Sequence, residues 1–212
     1  MWRWTRALAL TLALQATLTA ACAAQSLHLA PTGTVVSGSF ELAGKPIPLP
    51  DGEFLLAATR MEEAGIVSVV LAQLDGQRLK SAVWASTVLE PAARSNGVQA
   101  HEASLLVERR ERSFDAASIG LMKDAAAWLS YHDVVLPVPI LIVAEITRIE
   151  RGELVRAAYA FNPWSYGCNA PSAQFVESIA SWGKQVQQHL GTEVPRYASG
   201  IHQCASALAS AP

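Results

Sequence analysis

Charge is scarce in this 212-residue chain: Lys, Arg, Asp and Glu make up 16% of it, and the formal net charge is only -2. Nucleic-acid binding needs clustered Lys and Arg and a positive field. The one basic cluster, Glu108-Arg109-Arg110-Glu111-Arg112, is interrupted by carboxylates that cancel it. It reads as a solvated strand edge, and nucleic acid is not expected as a partner. Metal-ligand spacing is missing too, since the 5 histidines are scattered and neither His-Glu-x-x-His nor Cys-x-x-Cys occurs. No metal and no cofactor is expected. Gly-x-Ser-x-Gly is absent, and Ser37-Gly38-Ser39 lacks the strand-turn-helix context of a nucleophile elbow. Long apolar runs are lacking as well. The best internal one, Val134 to Ala144, is broken by Pro137 and Pro139 and covers about 11 residues where a membrane span needs about 20. It reads as a buried strand.

Cysteine is also rare, at 3 residues, and its placement matters because of what precedes it. Arg3 and Arg6, an apolar run from Ala7 to about Leu18 and small residues around Cys22 have the layout of an export signal over 1–24. Removing Arg3 and Arg6 from the 16 basic residues leaves 14 against 18 acidic, so the mature chain is mildly acidic. Two processing routes follow. Signal peptidase cleavage near Cys22 would give a periplasmic or secreted product. Alternatively, Leu18-Thr19-Ala20-Ala21-Cys22 resembles a lipoprotein box, with the leucine one residue further from the cysteine than usual, and would leave a membrane-anchored lipoprotein through Cys22. Either way Cys168 and Cys204 remain, and an even pair in an oxidising compartment predicts a disulfide. The mature chain has no predicted transmembrane span and is expected to be soluble unless lipidated.

The remaining ~188 residues suit one domain with a real core. Residues 25–33 read as a flexible leader and 34–212 as a single globular α+β domain. Thr34 to Leu42 reads as a strand, and the proline-spaced segment Pro46 to Pro50 belongs at a sheet edge or outside the sheet. Asp51-Gly52 then turns the chain into a strand over Glu53 to Thr59. Asp75-Gly76 is the turn of a hairpin whose Val67, Val69 and Leu71 take one face and Ile66, Val70 and Leu74 the other. A second hairpin around Arg151-Gly152 specifies its own register: Ile142 opposite Phe161, Ala144 opposite Tyr159, Ile146 opposite Ala157 and Thr147 opposite Arg156. Pro91 to Gly97 reads as a loop, Ser104 to Arg112 as a strand and Asp124 to His132 as a short helix. Pro171 to Leu190 reads as an amphipathic helix, with Phe175, Ile179, Trp182 and Val186 on one stripe and Gly191 at its end. The fold class is α+β: a mainly antiparallel sheet built from hairpins, about six to eight strands, with one long amphipathic helix packed on it.

Candidate functional residues fall in two segments. Tyr131-His132-Asp133 combines a proton donor, an imidazole and a carboxylate, although adjacent residues point in different directions. Phe161-Asn162-Pro163-Trp164-Ser165-Tyr166-Gly167-Cys168 holds aromatics on a loop beside the predicted disulfide, where Trp164 and Tyr166 either present a binding surface or fold back to complete the core. His202-Gln203-Cys204 is the nearest approach to a metal motif, and an oxidised Cys204 removes its thiolate.

Leu49-Pro50-Asp51-Gly52-Glu53-Phe54, followed by an apolar strand and a hairpin, resembles a Leu-Pro-x-Gly-Glu-aromatic segment of uncharacterised exported proteobacterial proteins. The resemblance implies export and one small domain, and brings no catalytic residue with it. Taken together, the sequence points to an exported envelope protein that binds a small ligand or an envelope protein without catalysis. An envelope hydrolase using His132 with a carboxylate, and a purely structural protein, are the alternatives.

Overall fold

The computed structural model of the chain describes residues 30–62, 65–88, 102–114, 120–150, 153–192, 201 and 204. The expected signal with Cys22, most of the leader, the Pro91 to Gly97 loop, the Arg151-Gly152 turn, His202 and the Ala/Ser-rich tail lie outside the described residues. Seven strands, β1 (Val35–Leu42), β2 (Lys45–Met61), β3 (Ile66–Asp75), β4 (Arg78–Val88), β5 (Glu102–Ser113), β6 (Val138–Glu150) and β7 (Glu153–Phe161), form one sheet. Their spatial order is β1-β2-β3-β4-β7-β6-β5, with every neighbouring pair antiparallel. Two helices, α1 (Leu121–Tyr131) and α2 (Ala173–His189), complete an α+β architecture.

The sheet has two unlike faces. Along β7, Val155, Ala157, Tyr159 and Phe161 join Val67, Val69, Leu71, Phe54 and Leu56 in a bulky core under α2. The alternate residues Ala158 and Ala160 join Ala57, Ala58, Ala72 and Ala82 in a second, alanine-rich core under α1. Period-two alternation thus sorts large and small side chains onto opposite faces. On the bulky side Phe175, Ile179, Trp182 and Val186 of α2 are buried while Glu177, Lys184 and Gln188 are exposed. Trp182 meets the rings of Tyr159 and Phe161 edge-on at centroid distances of 4.8 and 5.6 Å, a favoured aromatic geometry. Gly183 lets α2 approach β5, since a Cβ there would lie 3.0 Å from a Leu105 methyl. Ser172 caps the helix by accepting from the Phe175 N–H at 3.1 Å, so α2 begins two residues after Pro171.

Several turns differ from the sequence reading. The β3–β4 connection pairs Asp75 with Arg78, placing Gly76 and Gln77 at the turn, and a bulge between Gln73 and Leu74 absorbs the offset. Pro46 to Pro50 lies within β2, but that half pairs with β1 alone, and β3 joins only from Leu55 onward. Prolines, lacking a donor, are tolerated there because no strand pairs with the other side, where Pro46 O accepts from the Gly191 N–H at 2.9 Å. Asp51 and Gly52 bend β2 without ending it. Of the expected leader, Gly33 is fastened to β2 by its N–H donating to Leu56 O at 2.8 Å, because those backbone groups extend the edge pairing. The β6–β7 register matches the sequence reading at Ile142–Phe161, Ala144–Tyr159, Ile146–Ala157 and Thr147–Arg156.

A polar chain crosses the bulky face at the β2 bend. Gln73 donates to Asp51 O at 2.8 Å and accepts from Ser81 Oγ at 2.8 Å. It fits only because residue 52 is glycine, with φ 114° and an ideal Cβ position 2.0 Å from the Gln73 amide nitrogen. Cys168 and Cys204 form a disulfide with Cα atoms 5.1 Å apart across 36 residues of sequence, and the Cys204 N–H donates to Tyr166 O at 2.9 Å. Gly52→Ala is expected to lower stability by about 1–3 kcal/mol, read as an earlier urea midpoint with an unchanged slope. Replacing both bridge cysteines with serine should cost roughly 3–4 kcal/mol through the released chain entropy, measured in the same titration.

Candidate functional site

The four residues singled out from sequence do not form one cleft. Asn162 starts a 3-10 turn at Pro163–Tyr166, its side chain accepting from the Trp164 N–H at 3.3 Å and donating to Leu79 O at 2.7 Å. The turn folds Tyr166 inward to 8% exposure, with its ring near Phe161 and Phe175 at centroid distances of 6.2 and 5.4 Å, and leaves Trp164 38% exposed. Tyr166 is therefore part of the core under α2. Burial pushes its phenol up to about 12, with Asp51 adding to the rise and a hydrogen bond with Ser81 opposing it.

Tyr131 and His132 lie at the end of α1. His132 caps the helix, its ring 4.3 Å from that of Trp128 and 5.3 Å from that of Tyr131, and Tyr131 is 83% exposed. No nucleophile or carboxylate is brought to His132 among the described residues, and Asp133 leaves the helix with φ 60°. No group of three or more His, Cys, Asp or Glu that could hold a metal occurs among the described residues.

Two of the cavities formed by the described residues differ in how their polar groups are matched. The first, about 210 Å³, lies at the end of α2 between Lys45, Arg148, Glu153, Val155 and Leu190. Lys45 pairs with Glu153, and Arg148 donates to Gln188 O at 2.8 Å. Its charges are thus occupied in sealing the helix C-terminus, where cations are favoured.

The second cavity, about 240 Å³, runs beside α1. It is lined by Lys123, Ala126, Ala127 and Ser130 on the helix and by Phe114, Leu136 and Pro137 opposite. The helical residues share one stripe at i, i+3, i+4 and i+7. The neighbouring stripe, Ala125 and Leu129, is buried against the sheet and fixes the helix. Cavity space arises because Ala126 and Ala127 carry no side chain beyond Cβ toward Phe114 and Leu136. The end of this site is tied to the sheet where the Val135 N–H donates to Gln77 O at 2.8 Å, leaving the Val135 side chain 62% exposed.

None of the residues singled out from the sequence lines this cavity, and its walls were missed. The available signal was Ala125-Ala126-Ala127, three small residues in a helix otherwise carrying Leu121, Met122, Trp128 and Leu129. No family model, curated protein or solved structure matches the chain.

The buried phenol gives a pH test. Because its folded value lies above the ordinary 10, Tyr166 contributes stability that is present below pH 10 and lost as pH rises from 10 toward about 12. Spectrophotometric titration should show a step above the ordinary 10, near 12, that Tyr166→Phe removes.

Proposed function

We propose that the protein is an exported, non-catalytic binding module of the bacterial envelope and that its site is the apolar cavity between α1 and Phe114, Leu136 and Pro137. The observation that carries this reading is the cavity itself, a space of about 240 Å³ with a mainly apolar lining. Concave, mostly apolar sites with a few polar groups are the usual form of small-ligand sites, and this one lies just below their usual size of about 300–1,000 Å³. Tyr131 and Val135, adjacent in sequence to the lining residues Ser130 and Leu136, are exposed.

Export is supported by the signal layout at the N-terminus and by the Cys168–Cys204 bridge, a bond favoured in oxidising compartments. No helix among the described residues is long and apolar enough to cross a membrane. The imidazole of His132 packs on the rings of Trp128 and Tyr131 at the end of α1.

The test is a thermal-shift screen of the oxidised protein against envelope lipids, glycans and small apolar molecules, with Ala127→Trp as the blocked control. Ala127 is an exposed residue of the cavity wall, so an indole there fills the space without entering the sheet core. A ligand at 100 times its Kd stabilises by about 2.7 kcal/mol, which should raise Tm of the unsubstituted protein by several degrees and leave Ala127→Trp unmoved. Silence throughout the screen, or equal shifts in both proteins, rejects the site.

A further inference from the structure

We infer that the cavity beside α1 takes an amphipathic carboxylate, its apolar tail between the helix and Leu136 and its carboxylate on Lys123. This rests on the cavity being the binding site. Among the described residues, Lys123 is the one ionisable residue in the lining. Lys123 is exposed at the cavity edge and makes no ion pair among the described residues. Its neighbour Asp124, which could have neutralised it, is taken by Arg60 at 2.6 Å.

Position reinforces the charge. Lys123 stands in the first turn of α1, which begins after Gly120 without a side-chain cap. The helix dipole therefore adds to the attraction for an anion. The remaining lining is apolar except for Ser130, seven residues along, or about 10 Å at the rise of an α-helix. A ligand lying along this stripe meets a cation at one end and apolar walls over most of its length. At roughly 30 Å³ per small group, the volume of a water molecule, the 240 Å³ cavity holds about eight such groups. That is the size of a medium-chain alkyl acid.

The cavity at the end of α2 does not offer this combination, because its cations are already held by Glu153 and by the helix carbonyl oxygens. Nor does the exposed sheet face around Trp84, where Arg110 and Arg156 both bind Glu145.

The test uses octanoate, octanol and octylammonium as probes, each below its micellar concentration, with affinity read by titration calorimetry at low salt. Octanoate should bind the unsubstituted protein at least 10-fold more tightly than octanol, and octylammonium more weakly than either. Lys123→Met should bring the octanoate-to-octanol ratio close to 1 while retaining octanol, and Ala127→Trp should abolish both. Equal affinity for octanoate and octanol in the unsubstituted protein overturns the carboxylate assignment and leaves the cavity standing as a site. A preference that survives Lys123→Met overturns the role of Lys123. Binding that persists in Ala127→Trp, or no binding of any probe, overturns the site together with the ligand class.

Discussion

The alternation of side chains along β7 is the constraint on which the rest of the structure depends. This strand returns from the end of the chain's sheet-forming region to pair with β4 on one side and β6 on the other. It therefore joins the β1–β4 meander to the β5–β6 pair. A slip of one residue would exchange Tyr159 and Phe161 for Ala158 and Ala160, placing two large rings in the alanine-rich core and two methyl groups under Trp182. The stripe of α2 would then lose its aromatic partners. The register of β7 thus decides which face accepts α2.

The same alternation explains why one half of the second face needs no helix. Next to the alanines of β7, Trp84 and Arg110 lie close, with the guanidinium 5.6 Å from the ring centroid. Arg110 also pairs with Glu108 and Glu145, and Arg156 donates to Glu145 at 2.8 Å. Glu145 is largely buried by these neighbours, so its charge is held by two cations where an unpaired carboxylate would be costly. Long side chains cover the small ones through their apolar stems. At the outer edge, charged side chains of β5 also discourage pairing with another strand, which gives the alternating Glu-Arg cluster a structural role.

What was legible in the sequence was whatever local pattern determines by itself. The β6–β7 register could be read because only one pairing keeps Ile142, Ala144 and Ile146 opposite apolar partners. The α2 stripe could be read because four large residues recur at helical spacing. The β3–β4 turn was displaced because the bulge at Gln73 depends on a bond to Asp51, 22 residues away. Tyr166 illustrates the same limit: its loop composition suits either a binding surface or a core, and the cap made by Asn162 decides for the core. The cavity beside α1 was least legible, because alanine in a helix signals helix propensity, and emptiness requires knowing that Phe114 and Leu136 stand opposite.

On the proposed reading, stability and ligand access fall to different faces. The α2 side holds the disulfide, the aromatic contacts of Trp182 and the Gln73–Ser81 chain, all of which would have to break to admit a ligand. The α1 side is built on small residues, and small residues interlock little, so side chains at its margin can shift at lower cost. Leu136 and Pro137, which wall the cavity, belong to a connection between α1 and β6 whose backbone is fixed at Val135 by an isolated bridge to Arg78, with the Val135 N–H on Gln77 O. A ligand that fills this space adds apolar contacts where the protein has few and displaces none of the large rings. Binding at this face would therefore stabilise the thinner of the two cores, while the thicker one holds the platform unchanged.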